Sequence, residues 1–428
     1  MKLIRADDVS EMTNLRRRGW RPSKELSAEV QAILEAVETE GDGALIRYTR
    51  RFDAPDFTMA ALRVPIPMLS GARAEIPAQV ADAIELARAR ILDFHERQKE
   101  KDIDYAQSDG TRYAFRHEPL HGVAVYAPGG RAVLPSSVLM GALPARLARV
   151  ERVVLLTPPQ RDGKIHPAVL FAASLCEVDE LYAVGGAHAI GAAAFGTHTI
   201  APVEKIVGPG NSYVTEAKRQ LYGIVGIDGL AGPSEVLVVA DEDASSELVV
   251  AELLAQAEHD PEARVAVVSE SRALLMSCAQ LIEAIEVVKL PRGEIIAEVV
   301  ERGCVLVEAR SKGEILATIS AFAPEHLSLQ VSDPEFFLAN LRHVGAVFVG
   351  ANTPVACGDY LAGSNHVLPT SGAARFSSGL SLRDFERTYS VVWNSEQRMR
   401  RDAGALAAFA SFEGLEAHAQ SARMHLES

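Results

Sequence analysis

Four places in this 428-residue chain carry residue types and spacings that could act on a small molecule. Gln256 and His259 close a helical pattern that runs from Ser245 to Glu258, with Leu248, Val249, Leu253 and Leu254 as its apolar face. Residues three apart on a helix point the same way, as paired metal ligands must. Asp260-Pro261 stops the helix and leaves His259 near an exposed end. Taken alone, His259 reads first as a capping or surface histidine, and only partners elsewhere would make it a ligand. Ala323-Pro324-Glu325-His326-Leu327 sets a carboxylate beside an imidazole ahead of an apolar run. Such neighbours can divide acid–base work, the imidazole titrating near neutrality; the plainer alternative is a polar turn before a strand. Gly358-Asp359-Tyr360 and Gly363-Ser364-Asn365-His366 form a polar, glycine-flanked loop after Val347-Phe348-Val349, where open α/β sheets place ligand-binding groups. His418 lies in the tail with Glu413 and Glu416 nearby, and by itself reads as an ordinary surface histidine.

Other chemistries are missing. His95-Glu96 continues as Arg97-Gln98-Lys99, so there is no HExxH helix. Gly208-Pro209-Gly210-Asn211-Ser212-Tyr213 begins like a dinucleotide fingerprint but ends on Tyr, where close helix–strand packing wants Gly. Gly185-Gly186-Ala187-His188-Ala189-Ile190-Gly191 has the wrong spacing, and no GK[ST] follows either turn. Both nevertheless follow apolar runs and open helical stretches, where free backbone N–H groups can meet a phosphate or carboxylate. Cys176, Cys278, Cys304 and Cys357 lie far apart without a CxxC pair, which argues against a disulfide framework or a thiolate zinc knuckle.

The elements that must position these groups follow a clear rhythm. Short apolar runs without alternation fall at 122–126, 153–156, 181–184, 235–240, 264–268, 304–307 and 344–349, bounded by turns and separated by helical stretches. Parallel strands buried on both faces give that pattern. The expected fold is α/β: two intertwined Rossmann-like units with parallel-type sheets, plus helical arms at both ends. An N-terminal helical arm spans 1–24 and includes the run Arg16-Arg17-Arg18, read as a solvated face. A discontinuous α/β domain takes 25–120 and 236–375, an inserted α/β domain takes 121–235, and a helical tail without an assignable strand takes 376–428. Helices are expected over Glu25–Glu40, ending near Gly41-Asp42-Gly43, and from Pro77 to about Lys101.

Apolar residues at 48% and charged residues at 23% suit a soluble globular enzyme rather than a disordered or coiled-coil chain. Lys and Arg number 43 against 57 Asp and Glu, a net charge of -14, which argues against a nucleic-acid partner held by phosphate neutralisation. No apolar run approaches a membrane span, and the acids at Asp7 and Asp8 interrupt any signal peptide. A cytoplasmic enzyme is expected.

The motifs also resemble a known family. Ile206-Val207-Gly208-Pro209-Gly210-Asn211, Gly232-Pro233-Ser234-Glu235-Val236-Leu237, Pro324-Glu325-His326-Leu327, and Gly358-Asp359-Tyr360 leading to Asn365-His366-Val367-Leu368-Pro369-Thr370 are similar, in this order, to histidinol dehydrogenases. The likeness extends from Arg51-Phe52-Asp53 to His418. It implies a zinc enzyme that oxidises L-histidinol through L-histidinaldehyde to L-histidine, with one NAD consumed at each of two steps. By the same resemblance, Gln256, His259, Asp359 and His418 match the zinc ligands and also contact substrate. Glu325 and His326 match the acid–base pair: His326, itself a substrate contact, takes the alcohol proton, and Glu325 activates the water that hydrates the aldehyde. Ser234 and Glu413 match further substrate contacts, and Tyr126, His188 and Asn211 match positions at NAD.

One departure is His188, which stands where the family usually has Gln and cannot copy an amide's donor–acceptor pair. Glu413 precedes His418 by five residues, about 140° on a continuous helix, so one of them should sit at a helix start. Cys357 is not needed as a ligand, because the metal set is complete without it. The polar tail is expected to lie across a partner in a homodimer, with His418 reaching the neighbour's site. Three rivals stay open at this point: a relative acting on another small polar alcohol, a zinc hydrolase in which Glu325 activates water without redox chemistry, and a non-catalytic relative. A cationic substrate amine wants a carboxylate such as Glu413, and the glycine turns speak against a hydrolase.

Overall fold

Strands that are apolar on both faces need cover on both sides, and the computed structural model of the chain supplies it. The structure describes residues 1–16, 19–129, 133–285 and 289–427. Arg17 and Arg18 of the basic run lie outside the described residues. Two units result: residues 1–98 with 120–385, and residues 99–119 with 386–428.

The first unit holds two six-stranded sheets. One contains β1 (Lys2–Arg5), β10 (Glu235–Ala240), β11 (Arg264–Ser269), β12 (Cys304–Glu308), β13 (His326–Gln330) and β14 (Ala346–Val349) in the order β1-β12-β11-β10-β13-β14, all parallel. The other contains β2 (Arg63–Val64), β5 (Gly122–Tyr126), β6 (Arg152–Thr157), β7 (Glu180–Ala183), β8 (Lys205–Val207) and β9 (Gly226–Ile227) in the order β2-β7-β6-β5-β8-β9, with only β2 antiparallel. Every residue of β5 and β10 is buried. In both sheets the chain order reverses beside the middle strand, at β5/β8 and at β10/β13. Such reversals open the crevice that α/β proteins use for ligands. The fold class expected from the strand rhythm is the one observed.

Three details differ from the sequence reading. Helices Lys24–Glu40, Asp42–Phe52 and Ala78–Glu96 do not join the 236–375 core; Val30, Leu34, Val37, Leu45, Ile84 and Ile91 pack in one core with β5–β8. The Ala- and Gly-rich helix Gly186–Phe195 permits this, since a Cβ at Gly191 would stand only 3.0 Å from Leu34 Cδ2. The first arm is not purely helical: β1 adds to the sheet edge before helix Val9–Leu15. The tail likewise contains a strand.

That strand, β15 (Glu386–Trp393), belongs to the second unit, where it pairs antiparallel with β4 (Arg112–Pro119), itself paired with β3 (Ile103–Ala106). Arg112 stacks over the Trp393 ring at 4.6 Å. Helices Glu396–Phe412 and Glu416–Glu427 follow as a hairpin around Ala407, Ala419 and Ala422. No helix among the described residues is long and apolar enough to cross a membrane.

Candidate active site

Helix Lys312–Phe322 ends on Ala323, held left-handed at φ +50°, and Pro324 then turns the chain into β13. Glu325 stands immediately before the strand and His326 is its first residue, so both lie at the amino end of the sheet. The apolar strand therefore starts one residue earlier than a polar-loop reading of the pair allows. Glu325 is 6% exposed and His326 4%. Both are fastened to one residue of the neighbouring strand. The Glu235 N–H donates to Glu325 Oε2 at 2.9 Å, and His326 Nδ1 donates to the Glu235 carbonyl at 3.1 Å. A carbonyl can only accept, so this fixes the proton on Nδ1 and leaves Nε2 with its lone pair.

That Nε2 stands 4.0 Å from Asp359 Oδ1. Burial pushes the His326 imidazole down to about 4, against the pull of Asp359 and with His259 and His366 adding to the fall. Burial, with Glu235 and Asp359 nearby, raises the Glu325 carboxyl well above the usual range, despite the Glu235 N–H bond. One ring is thus neutral at physiological pH, and one carboxyl binds its proton unusually well.

Asp359 arrives on a short helix, Val355–Tyr360, rather than on an open loop. Glu252 Oε2 accepts the Val355 N–H at 3.0 Å and so ties that helix to Ser246–Ala257, one turn before Gln256. Gly358 is required there, because a Cβ would come within 2.5 Å of the Phe348 ring. Phe348 in turn lies 5.9 Å from the His326 ring, centroid to centroid. Gln256 is buried and its Nε2 has no hydrogen-bond partner among the described residues. His259 follows just past the helix end, exposed, with its N–H on the Gln256 carbonyl at 3.2 Å. His366, which the sequence marks only as part of the polar 363–366 loop and to which the resemblance gives no role, has its Nδ1 donating to the Asp359 carbonyl at 3.0 Å. Asn365 beside it is a structural tie, donating to the Met140 carbonyl at 2.8 Å. Ser234 precedes β10, and Gly232 before it has no room for a Cβ, which would meet Ser371 Oγ at 2.3 Å.

In the other sheet, Tyr126 ends β5 and Gly208 follows β8, on the two strands that flank the chain reversal. The two approach so closely that a Cβ on Gly208, at φ +111°, would fall 2.1 Å from the Tyr126 carbonyl oxygen. The buried Lys218–Asp228 pair fixes this turn: Lys218 Nζ donates to the Gly208 carbonyl at 2.5 Å, and Asp228 accepts the Gly208 N–H at 2.7 Å. Asn211 caps helix Ser212–Leu221 with its side-chain oxygen, which accepts from Tyr213 and Val214. The Tyr126 hydroxyl accepts the Gly186 N–H at 3.1 Å, and burial pushes it up to about 12. His188 is buried with most of its helix. It is 1% exposed, near the Tyr48 and Phe52 rings, with Nε2 3.3 Å from Thr49 Oγ1 and Nδ1 without a partner among the described residues. Burial pushes it down to about 3.

Glu413 and His418 belong to the second unit and are both exposed. Glu413 caps the end of helix Glu396–Phe412, Gly414 turns at φ +78°, and His418 lies in the first turn of the next helix. The break in the helix that their spacing requires is present. No group of three or more His, Cys, Asp or Glu that could hold a metal is found among the described residues.

With that geometry in view, the likeness to known proteins is specific. Residues 16–426 match the family model for histidinol dehydrogenase. A histidinol dehydrogenase of Gluconobacter oxydans is 46% identical over 94% of both chains, and one of Caulobacter vibrioides is 46% identical over 94% of this chain and 93% of the relative. The crystal structure of histidinol dehydrogenase from Elizabethkingia anophelis superposes with a TM-score of 0.93 at 34% identity, covering 100% of this chain and 98% of that one. The fold and these relatives place the molecule among the α/β oxidoreductases. The chain belongs to the histidinol dehydrogenase family, and hence to histidine biosynthesis.

Proposed function

We infer that the chain oxidises L-histidinol through L-histidinaldehyde to L-histidine, with NAD as oxidant at both steps and one zinc ion per site. The observation that carries this reading is the buried Glu325–His326 pair, both members fixed by Glu235 and His326 facing Asp359. The donor set fits zinc. Gln256 holds a buried amide whose oxygen can serve as a ligand, and an amide oxygen, two imidazoles and a carboxylate from Gln256, His259, His418 and Asp359 are ligand types that ion accepts. NAD fits the glycine turn after β8, at the chain reversal, together with the Gly185-Gly186 turn tied to the Tyr126 hydroxyl, with Tyr126, His188 and Asn211 as its contacts. When bound, NAD supplies the hydride acceptor and zinc a Lewis acid that holds the substrate's imidazole and amine.

The chain's own residues supply the proton traffic. His326, neutral and with Nε2 unprotonated, takes the hydroxyl proton of the alcohol, and later that of the aldehyde hydrate. Glu325, whose burial makes its carboxylate a stronger base, takes a proton from water as the water oxygen bonds to the aldehyde carbon. The C=O π pair moves to the carbonyl oxygen, which takes back the proton that His326 holds, so the ring is neutral again for the second oxidation. Ser234 contacts the substrate, and the Glu413 carboxylate offsets its ammonium charge. Because Glu413 and His418 are exposed on a hairpin that also exposes Phe409, Phe412 and Leu415, we assign them to the neighbouring site of a cytoplasmic homodimer.

Chelation is expected to abolish turnover and zinc to restore it, read as NADH absorbance with histidinol and NAD. Full activity in rigorously metal-free protein would refute the metal assignment. A narrower test concerns His188. Gln replaces the rigid ring's single donor and single acceptor with a flexible amide, so His188→Gln should change KM for NAD several-fold and leave KM for histidinol nearly alone. Unchanged NAD dependence would make His188 a core residue only.

A further inference from the structure

Glu235 does its holding through its backbone, which leaves its buried side chain to be explained. Its Oε1 accepts from Arg264 Nη1 at 3.0 Å, the carboxylate side chain being 0% and the guanidinium side chain 14% exposed. The two residues lie side by side in register on β10 and β11. Arg264 makes further ties. Its Nη2 donates to the Leu15 carbonyl at 2.5 Å, at the end of helix Val9–Leu15. Its guanidinium stacks on Phe322 at 4.4 Å, three residues before Glu325. Its own N–H donates to the Ser234 carbonyl at 3.0 Å. One planar, multi-donor cation thus reaches the Glu235 side chain, the Leu15 carbonyl and the ring that leads into Glu325, while the backbone N–H of the same residue holds the Ser234 carbonyl. An ammonium could copy the charge but neither the fork nor the stack.

We propose that Arg264 and Glu235 are positioning residues: their buried ion pair sets the Glu235 peptide groups that hold Glu325 and the tautomer of His326. Neither touches the reacting atoms. The inference rests on the acid–base reading of Glu325 and His326, and its test is built to fail separately from it.

The full-length, zinc-loaded protein is compared with Arg264→Lys, Arg264→Met, Glu235→Gln and the Glu235→Gln/Arg264→Met double variant. Displacing a reacting group by a fraction of an ångström costs on the order of ten- to a hundredfold in rate, so kcat for histidinol should fall by about that in Arg264→Met and Glu235→Gln while KM for NAD stays within about twofold. Arg264→Lys should fall between wild type and Arg264→Met. The double variant should be no worse than the poorer single, because the pair acts as a unit. Ring 15N shifts of His326, assigned by loss in His326→Asn, should depart from the Nδ1–H pattern in Arg264→Met. If Arg264→Met does not fold, Arg264→Lys and Glu235→Gln carry the same comparison. Unchanged kcat and unchanged ring shifts in folded variants overturn the proposal, as does a loss of kcat matched by a loss of NAD affinity. A wild-type protein that does not oxidise histidinol overturns the functional reading instead, and the ring shifts still decide the positioning role.

Discussion

His326→Asn is expected to lower kcat by about 10²- to 10⁴-fold at saturating histidinol and NAD, the usual cost of removing one positioned acid–base group. Asn can still donate to the Glu235 carbonyl as His326 does, so the site should stay folded. What it lacks is the second nitrogen, whose lone pair faces Asp359 at 4.0 Å. Both oxidations need that lone pair, so both should slow. Glu325→Gln separates the roles. The amide keeps an oxygen for the Glu235 N–H but takes no proton from water. Conversion of histidinol to histidine should then suffer more than hydride removal from an aldehyde hydrate supplied directly. Steady-state rates from both substrates check this, and near-wild-type values for both variants would mean that the 324–327 segment is only structural.

The second large effect concerns subunit sharing. His259→Ala and His418→Ala each remove an assigned zinc ligand, which should cost more than the about 10- to 100-fold loss typical of an outer-shell partner. Each homodimer would then be dead at both sites. In a mixed dimer with shared sites, one site collects both lesions and the other collects none. Random reassociation makes about half the dimers mixed, so refolding the two dead variants together should regain about a quarter of wild-type activity. Mixed dimers that form, as shown by differently tagged chains, and remain dead would place His418 within its own chain's site or outside any site.

Much of this was open to reading in the residues, and the misses have physical causes. Unalternating runs such as Val153–Leu156 and Val236–Ala240 announce parallel strands, because only a strand covered on both faces can be apolar throughout. The partner of a helix is a different matter. Periodicity shows that Lys24–Glu40 has a buried face but not which sheet meets it, and here small residues around Gly191 decide. β15 has no such signal because Arg387, Thr388 and Ser390 break any apolar run, as suits a strand with six of its eight residues exposed.

The site divides in the same way. Glu325, His326, Gln256 and Asp359 are side chains whose types advertise chemistry. Glu235 meets Glu325 and His326 through its peptide groups, which every residue has, so those two contacts have no side-chain signature. One signal was available: a carboxylate heads a strand buried along its whole length, and such a charge needs a partner. The rule that ligands gather at the carboxyl ends of parallel strands suits Tyr126 and Gly208 but misdirects at β10 and β13, where Glu235, Glu325 and His326 stand at the amino ends. His366 shows a similar limit, since only the folded turn brings its ring to the Asp359 carbonyl.

The most direct test of the central claim is a count. With limiting L-histidinol, excess NAD and zinc, NADH is read by absorbance and L-histidine by chromatography from the same reaction. Two NADH should form for every histidine, with no aldehyde accumulating, because one site carries out both oxidations. One NADH with free aldehyde as product, or consumption of substrate without NADH, would contradict the account.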